Sequence, residues 1–137
     1  MPELAEVETV RRTLKKKILH KKIIKVDIYY PNMIESDINE FKNIVGSEFI
    51  DIHRKGKWLI FELNNYYLLS HLRMEGKYFI KDIEQPLEKH EHIVFTFIDN
   101  TDLRYHDTRK FGRMNLIKKE DINNIEALNK QGFEPNS

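Results

Sequence analysis

A mainly β fold, an antiparallel sandwich or flattened barrel flanked by an N-terminal and a C-terminal α-helix, is predicted by three features of this sequence. After Gly46 the chain breaks into short runs rich in aromatic and β-branched residues, "EFIDIHRKGKWLIFEL", "YYLLSHLRM", "GKYFI", "HEHIVFTFI", "DLRYHD" and "MNLI", separated by turn residues. Ahead of them Val7, Val10, Leu14 and Ile18 recur at helical spacing. A second helical pattern runs from Glu120 to Leu128. Many short strands between terminal helices fit two packed sheets.

The elements follow in order. The first helix presents charge on its far face, ending in Lys15, Lys16 and Lys17. From Lys22 the period changes to two, so Ile24, Val26 and Ile28 are expected to point inward while Lys25 and Asp27 point outward. "SDINE" offers capping side chains for a short helix after Ser36, with Phe41 and Ile44 continuing its apolar stripe. Asn64-Asn65 and Asp99-Asn100 suit tight hairpins, because both residue types tolerate positive φ.

Composition limits the possible functions. The 137 residues with 40% hydrophobic content suffice for one globular domain with its own core. No apolar run is long enough for a membrane helix, so no membrane partner is expected. The absence of cysteine removes disulfides and thiolate metal sites and is compatible with the cytoplasm. Basic and acidic residues nearly cancel, 23 against 22, so only a local cluster could mark a nucleic-acid surface.

Such clusters exist at "RKGKW" (54–58), "HLRMEGKY" (71–78), "KHEH" (89–92) and "RYHDTRKFGRM" (104–114). In the last, Arg109 and Lys110 precede Phe111-Gly112 and Arg113. Interleaved cations and rings suit phosphates and stacked bases, although a solvated turn with a tucked-in phenylalanine has the same composition. Met74 is equally two-sided: a strand-end methionine fills core gaps, and on a loop it can wedge into a base stack. His90 and His92, two apart, are expected on one face of a strand. With no cysteine and no third ligand, phosphate contact suits them better than metal. Lys57 by composition is a surface lysine. Pro2 and Glu3 fit the first turn of a helix, where a missing N–H costs nothing and acids favour the dipole.

Taken in order, "MPEL.EVET" (with Ala5 at the open position), "GKWL", "HLRMEGK", "KHEH", "DTRKFGRM" and "GFEP" resemble the formamidopyrimidine-DNA glycosylase family of base-excision repair from end to end. Leu4 and the Met74–Phe111 pair favour this branch over the endonuclease VIII branch, which usually has glycine at the fourth position. The resemblance implies that initiator methionine is removed and that Pro2 is the nucleophile, forming a Schiff base with the sugar. Glu3 would donate a proton at the sugar ring, and Lys57 would be the second essential amine. It also implies that His90 and Arg109 hold DNA, and that Met74, Arg109 and Phe111 fill the void left by a flipped nucleotide.

The implied partner is damaged double-stranded DNA, met by a monomer in the bacterial cytoplasm. Residues 1–131 would be the catalytic N-terminal domain, with 132–137 opening a linker. The family's second half would carry a helix–two-turn–helix motif and a four-cysteine zinc finger, so no cofactor is expected in this chain. Competing readings are a weak DNA-binding or structural module and a catalytically dead paralogue. Three positions depart from the family pattern: Ala5 stands where proline is usual, His106 where Asn or Asp is more common, and Thr108 where proline is more common.

Overall fold

The computed structural model describes residues 4–124. Helix α1 (Leu4–Ile18) buries Val7, Leu14 and Ile18, with Glu6 in its first turn and the three lysines in its last, each sign set against the opposite helix pole. Eight strands follow: β1 (Ile23–Ile28), β2 (Asp51–Lys55), β3 (Trp58–Glu62), β4 (Tyr66–His71), β5 (Lys77–Asp82), β6 (Glu91–Phe97), β7 (Thr101–His106) and β8 (Arg113–Lys118). They form two four-stranded antiparallel sheets, β1-β6-β7-β5 and β2-β3-β4-β8. The sandwich and its leading helix are as the sequence predicts. Among the described residues no helix is long and apolar enough to cross a membrane.

The core lies between the sheets. Phe49 anchors it, meeting Phe61, Phe95 and Phe97 at ring separations of 5.4, 5.9 and 6.0 Å in tilted or edge-on contacts. Ile93, Leu103 and Tyr105 face Leu59, Leu68 and Met114 in the same cluster. A second cluster, Ile60, Tyr67, Leu69 and Ile117, occupies the other face of β3, β4 and β8 and is buried too. The central strands β3 and β4 therefore bury side chains on both faces, which explains their apolar runs.

Two local expectations are corrected, those for β1 and for the closing segment, while the short helix after Ser36 forms as expected. In β1 the register shifts between Ile23 and Lys25, so Ile23 enters the core and Ile24 is turned out. A bulge adds one residue and breaks strict alternation. The short helix is Ile38–Phe41, capped by Asp37 accepting from Asn39 N, and it continues as a 3-10 turn over Lys42–Ile44. Ser36 does not cap it; its Oγ accepts from Leu116 N. The closing segment is a 3-10 helix over Lys119–Asn124, and the rest of the expected helix to Leu128 lies outside the described residues.

Candidate nucleic-acid interface

The strand registers gather the four basic clusters at one end of the sandwich. In the second sheet Lys55 pairs Trp58, Trp58 pairs His71, and His71 pairs Arg113. In the first sheet Lys77 and Glu91 both pair His106. Two connections join these rows: residues 72–76 between β4 and β5, and residues 107–112 between β7 and β8.

Asp107 organises the longer connection. Its side chain is fully buried and accepts from four donors. Oδ1 takes Arg109 N at 3.2 Å and Lys110 N at 3.0 Å; Oδ2 takes Gly112 N at 2.8 Å and the Tyr105 hydroxyl at 2.9 Å. A carboxylate with its lone pairs so filled fixes a loop that has no ladder bonds of its own. Burial, with Tyr78 and the Asp107 charge beside it, pushes the Tyr105 phenol above the usual tyrosine range, so it stays a donor.

The Tyr105 hydroxyl is also where the two connections meet. A Cβ built on Gly112 would stand 1.8 Å from it, and one on Gly76 would stand 2.4 Å from it. Only glycine lets both backbones approach one hydroxyl so closely. Gly76 N also donates to Leu72 O at 2.9 Å, closing the shorter turn.

This packing sets Met74 of the shorter loop beside Phe111 of the longer one, which also carries Arg109. Met74 and Phe111 are each 49% exposed, and they line one hollow with Arg73 and Arg113. Arg109 Nε lies 3.7 Å from Glu75 Oε1, a second link between the two loops. Arg113 Nη1 donates to Lys110 O and Gly112 O, and Lys110 Nζ sits 4.7 Å from the Tyr30 ring centroid. Arg73 and Lys110 both adopt left-handed backbone, φ 57° and 60°. Each immediately precedes an exposed apolar side chain, Met74 or Phe111, so the two loops reverse direction in the same way.

Lys57 occupies the two-residue β2–β3 turn after Gly56, whose φ is 58°. Arg54 fixes that turn to α1: its Nη1 donates to Gly56 O at 2.8 Å and its Nε to Glu8 Oε1 at 3.0 Å. Glu8 also accepts from Arg11 and Arg12, and these guanidiniums hold its carboxyl far below the usual range. A second hollow is bordered by Glu6 and Val10 of α1 together with Met74, so the helix start adjoins the Met74 loop. Pro2 and Glu3 lie outside the described residues.

His90 is corrected in place: it sits in the turn before β6, not on the strand with His92. Its ring is 6.3 Å from His92 and 5.7 Å from His106. His92 Nε2 donates to Asp107 O at 2.7 Å, which leaves it a structural role. Among the described residues no group of three His, Cys, Asp or Glu is gathered to hold a metal. The cysteines of the implied zinc finger are not in this chain, so no zinc chemistry is assigned to it.

Three residues inside the quoted clusters have roles that their type and spacing do not mark. Asp107 and Tyr105 are the hub, and His71 belongs to the basic row. His71 meets Trp58 edge-on at 5.0 Å, and burial, Arg73 and Lys57 push its imidazole below the ordinary histidine value. The one available signal for Asp107 is an acidic side chain just ahead of a turn, where it can accept from amides two and three residues on.

The two sheet-joining loops thus present two exposed apolar side chains, Met74 and Phe111, with three cations, Arg73, Arg109 and Lys110, a combination whose chemistry suits phosphates and stacked bases. Residues 1–114 match the family model of the formamidopyrimidine-DNA glycosylase N-terminal domain, and the chain belongs to that family. Formamidopyrimidine-DNA glycosylases of Lactobacillus helveticus and Bacillus subtilis are 47% and 46% identical to it over its whole length. The chain spans about half the length of these curated relatives, 50% and 51%. Among solved structures it is similar to the Lactococcus lactis Fpg in complex with abasic-site DNA, at TM-score 0.85 and 42% identity over 90% of this chain and 46% of that one. The same enzyme with a FAPY-dG DNA matches at TM-score 0.84 and 43% identity, over 89% and 46%.

Proposed function

We propose that this chain is the catalytic N-terminal half of a bacterial base-excision repair glycosylase that removes oxidised purines and cleaves the resulting abasic site. The reading rests on one observation above all: Met74 shares one hollow with Phe111 and another with the first turns of α1, and the turn carrying Lys57 is tied to that helix through Arg54 and Glu8.

In the proposed reaction the secondary amine of Pro2, freed of methionine, attacks C1′ as the C1′–base bond breaks. Glu3 protonates the opening sugar ring, and the nitrogen lone pair completes an iminium. Loss of a C2′ proton then expels the 3′ phosphate by β-elimination, with Lys57 as a proton donor. Met74, Arg109 and Phe111 occupy the gap in the stack and offset part of the few kcal/mol that extrusion of a nucleotide costs. Arg109 and His90 contact phosphate, which positions the duplex without reading its sequence. The domain works as a monomer in the cytoplasm.

Borohydride trapping on an abasic-site duplex tests this. The chain is compared alone and fused to the second half of the Lactobacillus helveticus enzyme. The fusion is expected to yield a covalent adduct that Pro2→Gly abolishes, and the chain alone far less. Intact mass should show that adduct tracks the fraction lacking Met1, because an amide nitrogen has no free lone pair. Adduct formation by a fully Met1-retaining fusion would assign the nucleophile to another amine, Lys57 first.

A further inference from the structure

On the outer face of the first sheet, away from the hub, the Arg104 side chain is almost completely buried and every guanidinium N–H has an acceptor. Nε donates to Asp102 Oδ2 at 3.1 Å. Nη1 donates to Glu91 Oε1 at 2.9 Å and Pro86 O at 3.2 Å; Nη2 donates to Gln85 O at 2.7 Å and Asp82 O at 3.3 Å. One side chain thus satisfies three carbonyls, that of Asp82 at the end of β5 and those of Gln85 and Pro86 in the connection to β6.

The acceptors are themselves fixed. Glu91 Oε1 takes Glu88 N at 2.8 Å, and its Oε2 takes Lys81 Nζ at 2.6 Å. Lys81 also bonds Glu88, and Thr96 Oγ1 holds the other Asp102 oxygen at 2.8 Å. Burial alone would raise the Glu91 carboxyl, yet these donors hold it below its ordinary value, so it stays charged. Apolar residues can often replace a buried ionic cluster without loss of stability. They could not, however, bond three carbonyls and dictate one loop path.

The clamp leads to the interface. Glu91 follows His90 directly, and His90 O accepts from Asp107 N at 3.0 Å. The Arg104-held connection therefore ends in the residue on which the Asp107 loop is rooted. We propose that Arg104 is a positioning residue for the nucleic-acid-facing end: by fixing residues 82–91 against the sheet it sets His90 and, through the His90 carbonyl, the loop carrying Arg109 and Phe111. The proposal rests on the reading that this end meets DNA.

Two measurements test it on Arg104→Met, which keeps length but no donor, and on Arg104→Lys, which keeps charge but not the fork. Hydrogen exchange without DNA is expected to quicken at residues 83–92 and at the amides of Arg109, Lys110 and Gly112, leaving β2 to β4 unchanged. Faster exchange confined to 83–88 would overturn the proposal. In a binding cycle on an abasic-site duplex, Arg104→Lys is expected to weaken affinity about tenfold and to make His90→Ala nearly silent in its background. Additive losses would overturn it. The binding cycle uses the fusion to the second half of the Lactobacillus helveticus enzyme; a wild-type fusion that binds no duplex would refute the DNA reading, and the exchange measurement would then decide Arg104 alone. Should Arg104→Met not fold, Arg104→Lys carries both arms.

Discussion

The Tyr105 hydroxyl and the Gly112 amide donate to the same oxygen of Asp107, so one buried carboxylate joins the end of β7 to the far side of the loop that follows it. Asn at this position could not accept from all four donors, because one of its two polar atoms would be a donor itself. Asp107→Asn is expected to cost about 1–3 kcal/mol by denaturant unfolding, the usual penalty for orphaned buried donors. Tyr105→Phe, which removes one donor and leaves the carboxylate otherwise bonded, is expected to cost about 1 kcal/mol. An Asp107→Asn protein as stable as wild type would mean that the loop does not depend on this hub.

Gly112→Ala sets a methyl 1.8 Å from the Tyr105 oxygen and 2.9 Å from its Cζ. Such overpacking is expected to cost about 1–3 kcal/mol or more. Removing the oxygen by Tyr105→Phe should restore part of that loss, since the ring carbon remains in the way. Simple additivity of the two substitutions in thermal unfolding would show that the clash is relieved elsewhere.

The left-handed backbone at Lys110 separates charge from conformation. Holding an ordinary side chain there costs about 1–2 kcal/mol, and a β-branched one costs more. Lys110→Gly is therefore expected to fold at least as stably as wild type, and Lys110→Val less stably. Both should bind duplex DNA more weakly and lower the slope of log affinity against log salt by about one, the signature of one lost phosphate contact. An unchanged slope would place Lys110 outside the interface.

A linked proton is expected at His71. Burial, Arg73 and Lys57 hold its imidazole below the ordinary value, which favours the neutral form when no anion is present. A docked phosphate screens those cations and favours the protonated ring, so binding takes up a proton. Duplex affinity should then rise as pH falls from 7 toward 5.5, by at most about tenfold per pH unit. His71→Gln should lose that part of the rise. Equal pH profiles for the two proteins would exclude His71 as its source.

Fold and site were not equally legible in the sequence. Strands such as Trp58–Glu62 and Glu91–Phe97 announce themselves because burial between layers demands apolar and β-branched runs. Their neighbours do not: β1 lies beside β6 and β5 beside β7, pairings between distant segments that no local pattern records. Ile24 departs from the alternation because a single bulged residue inverts it, and His90 departs because the strand begins one residue later. At the site, Met74, Arg109 and Phe111 are conspicuous by type and context. Asp107 is not, since an aspartate that organises a loop and one that merely hydrates it look the same until its four donors are seen.

Glu8 gives the domain a fixed gauge. Its carboxylate ties Arg11 and Arg12 of its own helix to Arg54 of the neighbouring hairpin, and Arg11 reaches on to Ile52 O. Helix and hairpin are thereby linked at two points, and the turn carrying Lys57 is referenced to the helix rather than to the sheet alone. Under the proposed function, a duplex seated at this end would meet a spacing set by the helix–hairpin link before any of its atoms is recognised.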